Sequence, residues 1–566
     1  MKPTGFRRLA VWGAVPLGLS GCAVGPNYHA PAAPAVPGYT AAALPAATPA
    51  VDGQAQHFVS GADISGEWWA MYHSQELNSL IDTALANSPT LQAAQQTLIQ
   101  AEETERADAG TLLPSLSGSA NDTRSRISSA ELESSGQLPA GSDFTVAPYT
   151  LYNASLSVSY ALDLFGGGRR EVESLAAQSA YERYELEAAY LSLTANIVTA
   201  AVTEASYHAQ IEATTKIIAA EQKQLDILNT QFSLGGVPKA NLLSEQATLA
   251  SAQASLPPLQ AALADERNQL ADYVGAFPAN FNADDFTLDS LHLPGDIPVS
   301  LPSALVNQRP DIQAAAAQLH EATANVGVQI AEMLPQITLS ADVGHEGLNT
   351  ASLFTPQTLL WSLAAGATQP IFEGGELNAK RLAAVAALKS SAAQYQATVL
   401  TAFQNVADAL QNLQYDADTL QSAELAEQSS AKSLTVTQDQ VTLGAQPFTA
   451  ELTAQTSYQN AVIARVKAQA ARLSDTAALF QALGGGWWHR EDVSPPAANC
   501  CGLLPALTVA STSPGPVPAP LPAPVPAPPP AQVAAAAPAA APPAPPAAQL
   551  AAGPDMQNQQ SSGVIR

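Results

Sequence analysis

The sequence predicts a mixed α and β membrane protein, built as a tandem repeat of long helices and short membrane-sized strands. Three observations predict this fold class. The second half of the chain repeats the motifs of the first half. Residues 169–233 contain no proline and would form a helix about 100 Å long. Several segments of about ten residues alternate between apolar and polar side chains, as a tilted membrane strand does.

Composition argues against several functional classes. Charged residues are 13% of the 566 residues, well below the roughly 25% that is usual in soluble domains. The formal net charge of −26 argues against nucleic acid as a partner. No zinc-site spacing and no GxSxG, HExxH or Walker motif is present, so we expect no metal, no cofactor and no enzymatic activity. A solvated helix face is expected for Asp408, Asp416 and Asp418, with a tunnel-lining role as the alternative.

The N-terminus has the features of a lipoprotein signal peptide, residues 1–21. It begins with the basic residues Lys2, Arg7 and Arg8. The apolar segment Leu9–Leu19 is too short to span a bilayer, and it ends in the lipobox Leu-Ser-Gly-Cys at Cys22. Cys22 would become the acylated, palmitate-bearing first residue of the mature chain. The alternative is a cysteine that follows small residues by chance and is not acylated. Ala23 stands where inner-membrane retention favours Asp, which indicates the outer membrane. The next segment, residues 22–75, is predicted to be extended.

The duplication is traced by matching positions along the two halves. Pro89 matches Pro310 at an offset of 221 residues, whereas Phe165 matches Phe372 at an offset of 207. The shorter offset places a longer, exposed loop in the first half. The predicted parts are repeat 1 at 76–276, an equatorial linker at 277–300 and repeat 2 at 301–488.

Each repeat is predicted as a helix, a β-hairpin, a long helix, a turn and a helix. The hairpins are placed at about 115–164 and 336–372. Period-two alternation predicts an apolar face formed by Tyr152, Ala154, Leu156, Val158, Tyr160, Leu162, Ile337, Leu339, Ala341, Val343, Leu359, Trp361, Leu363, Ala365 and Ala367. Ser157 and Thr338 belong to the opposite, polar face. A one-sided soluble sheet would give the same alternation.

The helices are predicted to pack as coiled coils. In the long helix of repeat 2, apolar residues step by threes and fours along Val385, Leu388, Ala392, Tyr395, Val399, Phe403, Val406, Leu410, Leu413, Ala417 and Leu420. The helices before the strands and after the turns would each be about 50–55 Å long. Two such helices end to end match one long helix, so we expect a tall cylinder of single and stacked helices.

An aromatic residue and a glycine pair end each hairpin. The residues are Phe165, Gly166 and Gly167 in repeat 1, and Phe372, Gly374 and Gly375 in repeat 2. Glycine permits the tight change from strand to helix, and the phenylalanines are expected at the membrane interface. A phosphate-binding loop is the weaker alternative, because the P-loop lysine and the GxGxxG spacing are missing.

The turns at about 234–238 and 443–447 carry one pattern twice. Gly235 and Gly444 are expected in left-handed helix caps, and Pro238 and Pro447 in the first turn of the next helix. Each turn is then a sharp tip about 100 Å from the membrane. Any helix hairpin favours the same residues, so the alternative is an ordinary turn without a docking role.

Four strands cannot close a barrel, and open sheet edges are forbidden in lipid. The smallest known barrels have about eight strands, so the chain must oligomerise, and a trimer gives twelve strands.

With these features the chain resembles the TolC-like outer-membrane factors, in their branch of RND-efflux outer-membrane lipoproteins (the NodT branch). The residues that carry the resemblance are "LSGCAVGPNYHAP", "WWAMYHSQELNSLIDTALANSPTLQAA", both Phe-Gly junctions, "LGGVPKANLLSEQATLASAQ" and "LGAQPFTAELTAQTSYQNA". The resemblance implies a homotrimer with a twelve-stranded outer-membrane β-barrel and a periplasmic α-helical tunnel. It also implies a periplasmic adaptor, an inner-membrane RND-type transporter and the export of drugs, hence multidrug resistance.

The six tips of a trimer would form a ring that suits docking to adaptor hairpins. The docking residues expected are Gly235, Val237, Pro238, Asn241, Gly444, Gln446, Pro447 and Glu451. The family usually places an acidic residue six positions after the tip glycine. Asn241 and Ala450 stand there instead, with Glu451 one step on, so closure is expected to rest on packing and neutral hydrogen bonds.

The resemblance ends near Ser494. Residues 489–566 are a Pro/Ala-rich tail that is predicted to be disordered. It could contact peptidoglycan or a partner, or have no role. A redox or cross-linking role stays open for Cys500 and Cys501, beside the alternative that the pair has no role.

The function expected is that of a passive exit duct for small molecules. Two alternatives stay open: the outer-membrane channel of a type I protein secretion system, and a lipid-anchored coiled-coil scaffold without a pore. Polar-in, apolar-out strands favour a duct over a scaffold, and the lipobox with "CAVGPNY" favours pump-driven efflux over protein secretion.

Overall fold

The computed structural model describes residues 23–41, 45–51, 54–135, 139, 147–281 and 286–490. The predicted signal peptide with Cys22 and the tail from residue 491, with Cys500 and Cys501, lie outside the described residues.

The two halves contain corresponding elements in the same order. The first half contains β1 (His57–Ser60), α1 (Gln75–Asn87), α2 (Pro89–Ala109), β2 (Ser115–Ser125), α3 (Ser129–Ser134), β3 (Tyr149–Leu162), α4 (Gly167–Ser233) and α5 (Lys239–Tyr273). The second half contains β4 (Asp296–Val299), α6 (Pro302–Gln308), α7 (Pro310–Ala331), β5 (Gln336–Gly347), β6 (Leu359–Thr368), α8 (Glu376–Thr442) and α9 (Phe448–Ala482). The short helix α3, which has no counterpart, lies in the longer loop of the first half.

The helices that follow the hairpins have equal lengths in the two halves. α4 and α8 have 67 residues each, and α5 and α9 have 35 each. At about 1.5 Å per residue, the lengths are about 100 Å and about 52 Å. Both turns therefore lie the same helix length from the strands.

The single helix of about 50–55 Å predicted before each hairpin is wrong. It is divided into α1 and α2 in the first half and into α6 and α7 in the second, and α2 and α7 span only about 32 Å. Pro89 and Pro310 open the second helix of each pair. The residues before them, Ser88 and Arg309, have ψ angles of 120° and 125°, because a proline ring disfavours the helical conformation of the preceding residue.

The predicted seam of α8 is confirmed. Seven of its positions are buried, namely Tyr395, Val399, Val406, Leu410, Leu413, Ala417 and Leu420. The helix packs against α7 and α9, and α4 packs against α2, α5, α7 and α9. α4 also contains an 18-residue window apolar enough to cross a membrane by length and composition, but 56% of that window is buried inside the protein. Its place in the helical core accounts for this hydropathy.

Aromatic residues fix the N-terminal segment to the helical core. The ring of Trp68 stacks on that of Phe480 with centroids 5.3 Å apart, and the fully buried Tyr72 donates a hydrogen bond to the Leu473 carbonyl at 2.8 Å. Nearby, β1 pairs in parallel with β4. Sequence reasoning missed this pairing, which joins the segment before repeat 1 to the linker.

The remaining strands form one four-stranded antiparallel sheet in the order β2-β3-β5-β6. β3 and β5 pair across the two repeats, so each repeat contributes one hairpin. β2 and β6 lie at the outer edges, and each has one neighbour within the described part of the chain.

Candidate functional site

The register of the sheet places the apolar residues on one face. Leu156 lies opposite Val343, and Val343 lies opposite Trp361. Residues directly opposite each other share a face, so the rows predicted from the sequence combine into one apolar band. Much of it is exposed, with 53% of Leu156 and 69% of Trp361 accessible. An apolar surface of this extent marks contact with lipid or protein.

The first half of β2 extends this band with residues that sequence reasoning did not assign, and Asp122, opposite Tyr152 on the same face, ends it. Leu116, 70% exposed, lies opposite Val158, and Gly118 lies opposite Leu156. The other face is polar: Ser157 lies opposite both Ser117 and Asp342. One face of the sheet thus suits lipid and the other suits water.

The first junction is a capped start of α4. Gly166 has a φ of 78°, the left-handed conformation that favours glycine, and Phe165 is half-buried. The Asp163 carboxylate accepts hydrogen bonds from the backbone of Gly168 at 3.3 Å and of Arg169 at 3.0 Å. A carboxylate at this place complements the positive end of the helix. Sequence reasoning missed this cap.

The N-terminal segment that begins at Ala23 packs against the same junction. The Val24 amide donates to the Phe165 carbonyl at 3.0 Å. The Arg170 side chain is 4% exposed and donates to the Val24 carbonyl at 3.1 Å and to the Asn27 amide oxygen at 2.6 Å. Residue 23 is therefore held where the sheet changes into helix.

The second junction also starts its helix from a left-handed glycine, but in a more open setting. Gly374 and Gly375 have φ angles of 60° and 91°, and Gly375 is the N-cap of α8. Phe372 is 86% exposed and Ile371 is 94% exposed. The two junctions thus differ in burial, since the N-terminal segment covers only the first.

The two tips have the same hydrogen-bonding pattern. Gly235 and Gly444 have φ angles of 76° and 73°. In each tip the glycine amide bonds a carbonyl three residues back, and the next amide bonds a carbonyl five residues back, which together form a Schellman motif. The placement of Pro238 and Pro447 in the first helical turn is wrong: both are N-caps, with ψ angles of 152°.

The other predicted tip residues differ in exposure. Val237 and Asn241 are half-buried, whereas Gln446 is exposed. Glu451 is only 5% exposed, so its assignment to a docking surface is wrong. The reason is that the first turn of α9 packs inward, with Phe448 in an apolar cluster.

Two docking candidates were missed. Leu234 and Leu443 precede the tip glycines and are 81% and 82% exposed. Their position at the end of a helix before glycine could have signalled this, because the chain turns away from its packing partners there.

Farther from the tips, Asp416 does not lie on the solvated helix face that was expected for it. It is half-buried, while Asp408 and Asp418 are exposed. Burial and the neighbouring Asp475 carboxyl raise the pKa of Asp416. Within the described residues, no group of three or more His, Cys, Asp or Glu side chains could hold a metal ion.

Comparisons with known proteins agree with this architecture. Residues 80–276 and 301–485 match the model of the family described as outer membrane efflux protein. The chain is 26% identical over 477 residues to the antibiotic efflux pump outer membrane protein ArpC of Pseudomonas putida, covering 83% of this chain and 94% of ArpC. It is 27% identical over 491 residues to outer membrane protein OprJ of Pseudomonas aeruginosa, covering 84% and 95%. The solved outer-membrane channel OprN has the same fold, with a TM-score of 0.73 at 24% identity over 82% of this chain and 100% of OprN.

Proposed function

The chain belongs to the outer membrane efflux protein family, and we propose that it is the passive exit duct of a tripartite efflux pump. Efflux and an outer-membrane location are properties of its relatives. The finer proposal is a homotrimer that receives small molecules from an inner-membrane RND-type transporter through a periplasmic adaptor protein.

One observation carries this proposal: an amphipathic sheet with two open edges continues into helices about 100 Å long. A lipid-facing sheet cannot leave backbone groups unpaired, because hydrocarbon offers them no hydrogen bonds. Joining β6 of one copy to β2 of the next would remove every edge. Three copies would supply twelve strands, above the minimum of about eight that closed membrane barrels need.

The helices support a tunnel below that barrel. α4 and α8 have equal lengths, so the two tips of each chain would end at the same height. A trimer would present six tips in one ring. The exposed Leu234 and Leu443 would give each tip an apolar contact for an adaptor hairpin.

The docked N-terminus supports a lipid anchor at Cys22. Ala23, the next residue, lies against the first junction, where a Cβ atom on Gly166 would be 2.6 Å from its Cα. In the proposed barrel this junction lies at the inner edge of the membrane. Acyl chains on Cys22 would therefore start at the level of the outer membrane's inner leaflet, and several chains anchor stably.

Small organic molecules are the cargo that we propose, and drugs are among them. The relative ArpC is named for antibiotic efflux. A duct with a passive role needs no cofactor and no catalytic residue. A pore-free scaffold would have no use for the exposed apolar band, and a type I secretion channel would carry unfolded protein through the same architecture.

The proposal is tested by deleting the gene in its own host and restoring it on a plasmid. We expect the deletion strain to accumulate a fluorescent pump substrate and to become sensitive to several unrelated drugs, and the plasmid to reverse both effects. Unchanged drug sensitivity together with loss of one secreted protein would favour the type I alternative.

A further inference from the structure

Near the tips, a small apolar cluster joins the first helical hairpin to the start of α9. Its buried members are Leu225, Leu228, Leu242, Leu249 and Phe448. The first two belong to α4, the next two to α5 and the last to α9. This cluster is therefore a contact between the two halves of the duplicated chain.

Three glutamates lie in the same contact. Glu221 of α4 and Glu245 of α5 are fully buried, and Glu451 of α9 is 5% exposed. Glu221 accepts a hydrogen bond from Gln459. Both carboxyl oxygens of Glu245 are buried and have no hydrogen-bond partner within the described residues. A carboxyl group in this position has no hydrogen-bond donor among the described residues to stabilise its charge.

No ion pair joins any of the three glutamates to a cation within the part of the chain that the structure describes. The charged groups that act on Glu245 are Glu221 and Glu451, one from each helix that faces it. Burial, then these two like charges, raise the pKa of Glu245 to about 7. Burial also raises the pKa of Glu221 and of Glu451. Like charges close together in a buried site disfavour full ionisation.

We propose that Glu221, Glu245 and Glu451 form a proton-binding site that locks the first tip hairpin to α9. With Glu245 protonated, the three carboxyls and the apolar cluster pack together. When Glu245 ionises and releases its proton to water, three negative charges repel across the contact. The proton is the ligand that fits, since no group of acidic side chains among the described residues could hold a metal ion.

The direction of the pH effect follows from the raised pKa. The closed contact binds a proton that the separated helices would release, so the contact is strongest in acid and weakens as the pH rises toward about 7. The tip would thus open more readily at neutral pH than at acid pH. This consequence for transport rests on the proposed duct function, whereas the proton-binding site does not.

The site is tested on the purified full chain by infrared spectroscopy of the protonated carboxyl band during a pH titration. We expect this band to disappear between about pH 5 and about pH 8 in the wild type. Glu245→Gln should remove the part of this band that comes from Glu245. The control Asp226→Asn, an exposed acid on α4, should retain it. Asp416, whose pKa is also raised, contributes to the same band, so every variant in this titration carries Asp416→Asn. In that background, the absence of the band at acid pH, or a band that Glu245→Gln leaves undiminished, would overturn the proposal.

The lock is tested by the distance between spin labels on the last residues of α4 and α8. Ser233→Cys and Thr442→Cys are equivalent, exposed positions, and Cys500→Ser and Cys501→Ser remove competing thiols. The label distance should increase with pH in the wild type and in Asp226→Asn, and stay constant in Glu245→Gln. A distance independent of pH in the wild type would overturn the lock. If both titrations behave as expected but no efflux occurs, the duct function fails and the proton-binding site stands.

Discussion

Ala23 and Gly166 are in direct contact, so that a Cβ atom on Gly166 would lie 2.6 Å from the Cα and 2.7 Å from the Cβ of Ala23. Gly166 also has a φ of 78°. Two independent requirements, a left-handed backbone and a close approach, therefore select glycine here. The contact fixes Ala23 to the N-cap of α4.

The first prediction is that Gly166→Val displaces the N-terminal segment. The side chain would clash with Ala23 and strain the backbone, at a cost of about 1–3 kcal/mol for the strain alone. Limited proteolysis should then cleave residues 23–30 faster than in the wild type. Gly374→Val is the matched control, because its φ is 60° but no atom lies within 4 Å of the added Cβ. Equal cleavage in both variants would contradict a docking role for Gly166.

The second prediction is that Cys22 is acylated. Mass spectrometry of the mature protein should find a lipid-modified cysteine at its N-terminus. The Cys22→Ser variant should be held less firmly in the membrane but should still insert, because the proposed barrel spans the bilayer by itself. An unmodified start at another residue would contradict the lipobox assignment.

The third prediction separates the two faces of the sheet. Arginine at Leu156 or Leu339 should destabilise the inserted protein by about 2–4 kcal/mol near the bilayer midplane. Arginine at Ser157 or Thr338, on the polar face, should have little effect. Urea unfolding in lipid vesicles measures the difference. If both faces tolerate arginine equally, the barrel assignment is wrong.

The fourth prediction concerns the tips. Gly235→Val together with Gly444→Val should abolish efflux while the trimer and its membrane insertion stay intact. Nothing lies within 4 Å of an added Cβ at either glycine, so the damage comes from the left-handed backbone that valine rarely adopts. Gly110→Val is the control, because its surroundings are also open and its φ is −61°. Drug accumulation at matched expression is the measurement, and normal efflux in the double variant would make the tips ordinary turns.

Sequence periodicity predicted the features that repeat along the chain. The alternation around Leu156 and Leu339 located the strand faces, and steps of three and four located the α8 seam. Pro89 and Pro310 could have predicted the breaks in the early helices, since proline restricts the residue before it.

Long-range contacts could not be predicted in the same way. The docking of Arg170 on Val24 and the pairing of β1 with β4 each join residues whose sequence patterns carry no sign of the partner. Glu245 has the appearance of an ordinary surface residue of a polar helix. Its burial depends on α9, which lies about 200 residues later in the chain.

The central claim, a closed pore formed by several copies, is tested most directly by conductance across a planar lipid bilayer. Purified wild-type protein should produce discrete, stable current steps, each from one inserted trimer, and Leu156→Arg should reduce the number of insertions without changing the size of a step. Membrane-inserted protein that produces no current steps at any pH would contradict the duct and favour the pore-free scaffold.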